Sequence, residues 1–563
     1  MAVIDISRVE TVEAFEQLRP DWDRLLSQSD VNNIFLTFDW IKSWWETFGE
    51  QFRLYILLIK EGDKLIGIAP LMLTLRKSIR FIGTPNADYG DLIGPDKDVI
   101  IKQVFSYLTK HNDEWNKIDL QQIPAKSGTL TALNTLLEAR SYKYQINQME
   151  TCFSYQYEGS EEDRGLFTLR RNKTMRRKFN FFMKAGGLEL IRLQDSSEIK
   201  EYLPSFFHGH IVRWDQTSTP SKFLNPKNRD FYYTLVNNLA RQKQISMLML
   251  MHKNRPIAYY FTFDYNNSLF LYTTIFDPFY FKRSPGYILI DFLTTDFIRN
   301  GYNIIDHTRG DEFYKESFTN KTSVNYRLTI YKHSRDLALA RFKTRIRQSG
   351  SIQKLAQNQY IGDLKAKLSA YRAHHGTGHL FMTILKKLLI LLFEYKVMFV
   401  LDHNHKPPPL KLPPEVTIGQ VGQEDFGTIA SFVGIDPSSR KHGMIMKRFA
   451  DGGECFVARY KGTIASIAWG IFKEDHLFDV DTHFPLKENQ VFLADAYTSP
   501  IFRGLGLHPL LIAHRLHRYH NRKLKILTTC MKNNVSSLKG IRKTGFEYRN
   551  RFHYLKILRK RII

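Results

Sequence analysis

The sequence predicts a mixed α/β fold of the α+β kind, in which helices precede a meander of strands, and this order occurs three times. In the first stretch, residues 12–27 and 38–48 carry apolar side chains at helical spacing, the second with Trp40, Trp44 and Trp45. Strand-like runs follow at 54–59 and 65–73 across the turn Glu61-Gly62-Asp63, with a third at 79–82. At about 150 residues per domain, a chain of 563 residues holds three or four such units.

The second stretch begins with a basic helix at 169–184, ended by Gly186-Gly187 and followed by a strand at 188–193. Helices around 203–214 and 230–241 precede strands at 245–252, 256–265 and 268–276. Ser284-Pro285-Gly286 opens a helix at 287–299, because proline in a first turn sacrifices no hydrogen bond. Residues 336–405 read as a basic helical linker, and 406–414 as a stiff proline-rich spacer. The third stretch, 415–563, runs through a helix at 423–433, strands at 454–459, 463–472 and 490–498, a helix at 506–520, a strand at 525–530 and a helix at 536–544. The domain expectation is therefore 1–155, 156–335, linker, spacer and 415–563.

Lys+Arg 81 against Asp+Glu 56 gives a net charge of +25, which invites an anionic partner: nucleic acid, a phosphorylated ligand or an anionic membrane surface. Seven Lys/Arg and no acid fall between Arg170 and Lys184, and fifteen against the single Glu547 from Arg515 onward. Solvated helix faces would explain both runs, and no RNP, KH or zinc-finger pattern accompanies them, so DNA is not expected. Cys152, Cys455 and Cys530 are widely spaced and form no ligand cluster, so neither a disulfide scaffold nor a cysteine-built metal site is expected. The first residues lack the apolar core of a signal peptide, which points to the cytoplasm. The apolar stretch 380–401 is interrupted by Lys386, Lys387, Glu394 and Lys396, so a docked helix is expected there, with in-plane membrane contact as the alternative.

Chemistry concentrates at Ala496-Tyr-Thr-Ser-Pro-Ile-Phe-Arg-Gly-Leu-Gly-Leu507. A strand that turns through glycines into a helix leaves backbone N–H groups pointing one way, and with the helix dipole these form an anion site suited to pyrophosphate. Gly504 and Gly506 allow close approach and Arg503 adds charge; a purely structural turn remains the alternative. Asn534-Val-Ser-Ser537 and Gly545-Phe546 follow at fixed offsets. Together these residues resemble the GNAT N-acetyltransferase family over about 415–563. The resemblance implies that the amides of Arg503, Gly504, Leu505, Gly506, Leu507 and His508 hold the pyrophosphate of acetyl-CoA, with Asn534 near it. His508 stands where the family prefers Gly or Ala, and Ile541 where many members place a proton-donating tyrosine. Asp495 is a candidate general base.

Upstream, Phe35-Leu-Thr-Phe-Asp-Trp40, Leu65-Ile-Gly-Ile-Ala-Pro-Leu71, Arg213-Trp214, Phe276-Asp277, Ser284-Pro285-Gly286 and Asp306-His-Thr-Arg-Gly-Asp-Glu-Phe-Tyr-Lys315 occur in order. This series is similar to the CelD/BcsL family of acetyltransferase-like proteins over about 5–335, which resemble Fem-type aminoacyltransferases in having two GNAT-like lobes. The resemblance implies three GNAT-like lobes in all, with Ser284 and Gly286 as a second anion turn. By their own chemistry Asp306, Asp311 and Glu312 could take a proton from the acceptor, while Arg309 and Lys315 could bind anionic groups, so Asp306, Asp311 and Lys315 are the catalytic candidates, and Arg309, Arg213 and Trp214 the acceptor-binding candidates. A strand-end loop braced by ion pairs is the competing reading of 306–315.

The implied activity is acyl transfer from acetyl-CoA, without a metal, to a polysaccharide or cell-envelope precursor or a related amine. Two alternatives stay open: a non-catalytic acyl-CoA-binding scaffold, and Fem-type transfer from charged tRNA.

Overall fold

A computed structural model describes residues 4–139, 142–157, 173–215, 217, 219–299, 301–312, 314–348, 393–435, 439–477, 482–557 and 560–562. The chain divides into two compact units. The first comprises Met1–Leu203, Asn225–Phe276 and Lys282–Gln357; the second comprises Pro204–Leu224, Asp277–Phe281 and Asn358–Ile563.

The first unit opens with β1 (Ile4–Val9) and helices α1 (Val12–Glu16), α2 (Arg19–Ser27) and α3 (Phe38–Phe48). Thr37 starts α3 by accepting the Trp40 amide, and the helix turns Trp40, Ile41 and Trp44 inward. Strands β2 (Phe52–Leu54), β3 (Ile56–Glu61), β4 (Lys64–Ala69), β5 (Leu71–Thr74) and β6 (Ser78–Phe81) lead to α4 (Lys97–Lys110) and β7 (Lys117–Pro124). Next come α5 (Gly128–Ala139), β8 (Tyr144–Gln156), α6 (Lys173–Lys184) and β9 (Glu189–Leu193). The helix α7 (Ser196–Asp215), whose residues from Pro204 on are counted in the second unit, precedes α8 (Pro226–Leu239) and the strands β10 (Ile245–His252), β11 (Arg255–Tyr265) and β12 (Ser268–Phe276). Helix α9 (Pro285–Arg299), β13 (Ile304–Arg309), β14 (Lys321–Tyr331) and α10 (Ser334–Gln348) complete it.

Eleven of these strands form one sheet in the order β2-β5-β6-β7-β14-β8-β13-β12-β11-β10-β9, and β1, β3 and β4 form a second. Strand β10, Ile-Ser-Met-Leu-Met-Leu-Met-His, is buried at every position, which is why its apolar run lacks the two-residue alternation of a half-exposed strand. The expected boundary at 155 falls inside β8. That strand pairs with β13 and β14, both from the far end of the unit, so the two expected lobes share one continuous sheet.

The second unit contains β15 (Phe393–His403), β16 (Val416–Val421), α11 (Phe426–Val433), α12 (Arg440–Ala450), β17 (Glu454–Tyr460) and β18 (Thr463–Ile471). A hairpin of β19 (Glu474–Leu477) and β20 (Thr482–Pro485) precedes β21 (Gln490–Thr498), α13 (Leu507–Asn521), β22 (Lys525–Met531), α14 (Val535–Lys543), β23 (Glu547–Ile557) and β24 (Lys560–Ile562). The sheet order is β16-β17-β18-β21-β22-β15-β23-β24.

Here the structure corrects the sequence reading. Residues 393–403, expected as part of a helical linker, form a central strand between β22 and β23. Met398 packs into the core on one sheet face and Leu401 into the core on the other. Burial on both faces leaves its middle, 397–401 (Val-Met-Phe-Val-Leu), continuously apolar, and periodicity cannot then separate strand from helix. Residues 380–392 of the same stretch lie outside the described residues. Among the described residues no helix is long and apolar enough to cross a membrane. The fold class is the expected one, a mixed α/β protein with GNAT-like units.

Candidate active site

In the second unit, β21 and β22 run parallel and pair only from Gln490–Lys525 to Leu493–Thr528. Beyond Leu493 the two strands separate. A register shift between β18 and β21 and a left-handed Asp495 (φ 37) turn the end of β21 away from its neighbour. The opening is a cleft of about 750 Å³, lined by residues of β21, the turn that follows it, α13, β22 and α14.

The turn forms the phosphate-sized end of this cleft. A single 3-10 turn, Pro500–Phe502, leads to Gly504 at φ 90 and to Gly506 at φ 72, the residue that caps α13. A Cβ at either glycine would meet no atom within 4 Å, so the cradle is open space rather than packed wall. Leu507 and His508, in the first turn of α13, line the cleft, and first-turn amides of a helix have no partner within it and carry the positive end of the dipole. Asn534 lines the same cleft and caps α14, its Oδ1 accepting the Ser537 amide at 3.2 Å.

Two side chains in the lining set the local field. Arg515 is buried, donates to the carbonyls of Trp469 (2.6 Å) and Leu511 (3.1 Å), and has no acidic partner among the described residues. Desolvation lowers its pKa to about 10, still well above neutrality, so a positive charge stands behind the cleft. His508 is driven down to about 4 by burial and by Arg515, and is therefore a neutral ring at pH 7. Ile541 lies in the apolar core beside the cleft.

Asp495, on the bulge, places its carboxylate 2.8 Å from Arg448 Nη1. The same guanidinium grips Asp475 with Nη2 at 2.9 and 2.7 Å. Sequence reading missed His208, whose Nδ1 meets Ser499 Oγ at 2.8 Å and whose Nε2 meets the Phe432 carbonyl at 2.8 Å. Ser499 immediately precedes the turn, so His208 anchors its start. No local pattern signals this, because the two residues are 291 positions apart.

In the first unit the sequence-derived candidates separate. Asp306 lies in a cavity of about 320 Å³ and accepts Tyr89 Oη at 3.0 and 2.9 Å and the Thr308 amide at 2.7 Å. Desolvation raises its pKa to about 6. Arg309 instead pairs with Asp88 (2.6 Å) and with the Pro85 carbonyl (2.6 Å). Lys315 is buried against the Arg309 carbonyl (2.7 Å) and Glu312 (2.9 Å). Asp311 is exposed and does not line the cavity. The braced-loop reading thus holds for Arg309 and Lys315, while Asp306 alone of the group faces a ligand-sized space. Ser284, at φ 50, accepts Lys178 Nζ at 2.7 Å just before α9, and Gly286 lies in the first turn of that helix. Arg213 and Trp214 belong to the second unit: Trp214 stacks on His210 at 5.3 Å and Arg213 lies over Trp214 at 6.0 Å, and neither lines either cavity. Among the described residues no group of His, Cys, Asp and Glu could hold a metal ion.

Residues 170–316 match the family described as Acetyltransferase (GNAT) domain. Over this stretch the chain is similar to GNAT domains. No curated protein matches it. Solved structures similar to it include FemX, at 8% identity over 59% of this chain and 99% of that one, TM-score 0.42. Another is a conserved protein of unknown function from Bacteroides thetaiotaomicron, at 16% identity over 58% and 100%, TM-score 0.39. A third is L-PGS from Bacillus licheniformis, at 12% identity over 53% and 93%, TM-score 0.35.

Proposed function

We propose that the protein is an acyl-CoA-dependent acyltransferase of CelD/BcsL type that holds its donor in the cleft between β21 and β22. The transferred group is acetyl, and the acceptor is an amine or hydroxyl of a saccharide or cell-envelope precursor. One observation carries the reading: the separated parallel strands lead to a glycine turn with open space around Gly504 and Gly506, at the N-terminus of a helix that lines the same cleft. The residues present fit the group. Amides of the turn, Arg503 and the buried charge of Arg515 would hold the pyrophosphate, and Asn534 borders the same space.

The donor, when bound, supplies a thioester, an acyl group already activated toward an amine. The chain then has to position the acceptor, polarise the carbonyl and take a proton. Backbone N–H groups freed where β21 parts from β22 serve the second task. Asp495 is the carboxylate in the lining and takes the acceptor's proton. No side-chain acid stands at Ile541, and a thiolate with a pKa of about 8.5 leaves without one.

The apolar setting of Ile541 also favours a second reading, in which the cleft holds the donor without turning it over. Release of free thiol from acetyl-CoA, measured with panels of amines and sugars, tests both. Turnover that falls in Gly506→Asp and in Asp495→Asn supports the enzyme. Tight CoA binding with no thiol release on any acceptor supports the second reading, and absence of CoA binding rejects both.

A further inference from the structure

The middle of the eleven-stranded sheet carries a polar face that borders a cavity. Register sets Phe270 beside Asp306, Asp306 beside Ser154, and Ser154 beside Lys321, a single row across β12, β13, β8 and β14. A neighbouring row carries Ser268, Ile304 and Gln156, and Ser323 stands beside Cys152 on the other side. Cross-strand neighbours share a face, and residues two apart along a strand return to it, so these rows form one surface. That surface is the floor of the 320 Å³ cavity, and Asn32, Tyr89 and Lys126 are among its walls. A volume of this size lies in the range of small-ligand pockets.

The charges in the lining are arranged by distance. Asp306 and Lys321 flank Ser154, two strand spacings apart, or roughly 10 Å between backbones. The long lysine side chain shortens the separation of the charged atoms, and Lys126 adds a second cation to the lining. We propose that this cavity binds a small zwitterion, its primary ammonium against Asp306 and its anionic group against Lys321 and Lys126.

The carboxylate is ionised above pH about 6. Its other neighbours do not compete for the ammonium: burial raises the Tyr89 hydroxyl and pushes the Cys152 thiol to about 12, so both stay neutral, and Asp88 adds negative potential. Phe270 supplies an apolar wall for the carbon skeleton. Two kinds of molecule share this chemistry, an α-amino acid and a phosphorylated amino sugar. The inference does not depend on acyl-CoA occupying the other unit.

The test is calorimetry on the full chain at pH 7.5 with L-threonine and with glucosamine 6-phosphate. Glucosamine, lacking the anion, and glucose 6-phosphate, lacking the ammonium, are the controls. One zwitterion should bind, and the control missing a charge should bind about tenfold more weakly, the weight of one charge-assisted hydrogen bond. Whichever probe binds identifies the source. Lys321→Met, at an exposed position that tolerates change, and Asp306→Asn should each weaken it by about tenfold, with CoA affinity unchanged. No binding of either zwitterion at about 10 mM, or binding indifferent to Lys321→Met, overturns the proposal. Absence of CoA affinity in the wild-type protein would instead count against the acyl-CoA reading alone.

Discussion

The cleft of the second unit and the cavity of the first are built from different materials. The cleft is made by backbone: two strands part, a turn passes through two left-handed glycines, and helix amides supply the charge. The cavity is made by side chains from four strands, set in rows by register. A backbone site depends on conformation and tolerates many side chains, whereas a side-chain site depends on each residue that projects from its floor. The two should therefore respond to mutation in opposite ways.

The largest effect should come from changing conformation and charge where the backbone makes the site. Gly506→Asp places a carboxylate at the mouth of the amide cradle. Its Cβ meets nothing within 4 Å, and Asp tolerates left-handed backbone better than most residues, at a strain cost of about 1 kcal/mol. CoA affinity should fall by about 100-fold in calorimetry while the unfolding transition of the unit persists. An affinity within threefold of wild type would show that the turn does not hold the phosphates.

This difference in materials also explains how much could be read from sequence. Gly504, Gly506, Asn534 and the surrounding helix and strand were legible because the turn and its cap are contiguous, and local geometry follows local sequence. Asp306 was legible as a chemical candidate, but its separation from Asp311, Arg309 and Lys315 was not. That depends on Tyr89, Ser154 and Lys321, which reach it only through strand order. The strand 393–403 was misread for a related reason: its character is set by β22 and β23, more than a hundred residues downstream. His208 is invisible for the same cause, since nothing near it in sequence announces Ser499.

Titration sharpens the comparison at two buried groups, Asp306 in the first unit and His208 in the second, whose shifts oppose each other. Asp306 is raised from 3.8 to about 6, so between those values the folded first unit binds the extra proton. Its stability falls as pH rises through that window, and the penalty is complete above it. His208 is lowered from 6.5 to about 4 by burial, so between those values the unfolded chain binds the extra proton. The contribution of His208 is present above pH 6.5 and is lost as pH falls toward 4. Hydrogen exchange resolved by peptide, at pH 4.5 and 7, should show the second unit losing protection on acidification. Asp306→Asn should stabilise the first unit at pH 7 by about 2 kcal/mol and remove its share of the pH slope. His208→Gln should flatten the slope of the second unit alone. Parallel slopes in both variants would mean that other groups dominate.

The smallest effect is the most diagnostic of a backbone-built site. Arg503 lines the cleft beside the turn and is exposed to solvent, where a single cation is screened and gains little. If the amides carry the pyrophosphate, Arg503→Ala should weaken CoA by only about threefold in dilute buffer. The difference should shrink further at about 0.5 M salt, because screening removes the contribution of an exposed charge before that of amides fixed at a helix end. Arg515 differs: it is buried behind the same cleft, and salt reaches it poorly. A loss near 100-fold in Arg503→Ala, abolished by salt, would mean that the side chain rather than the turn does the binding, and the contrast between the two sites would then disappear.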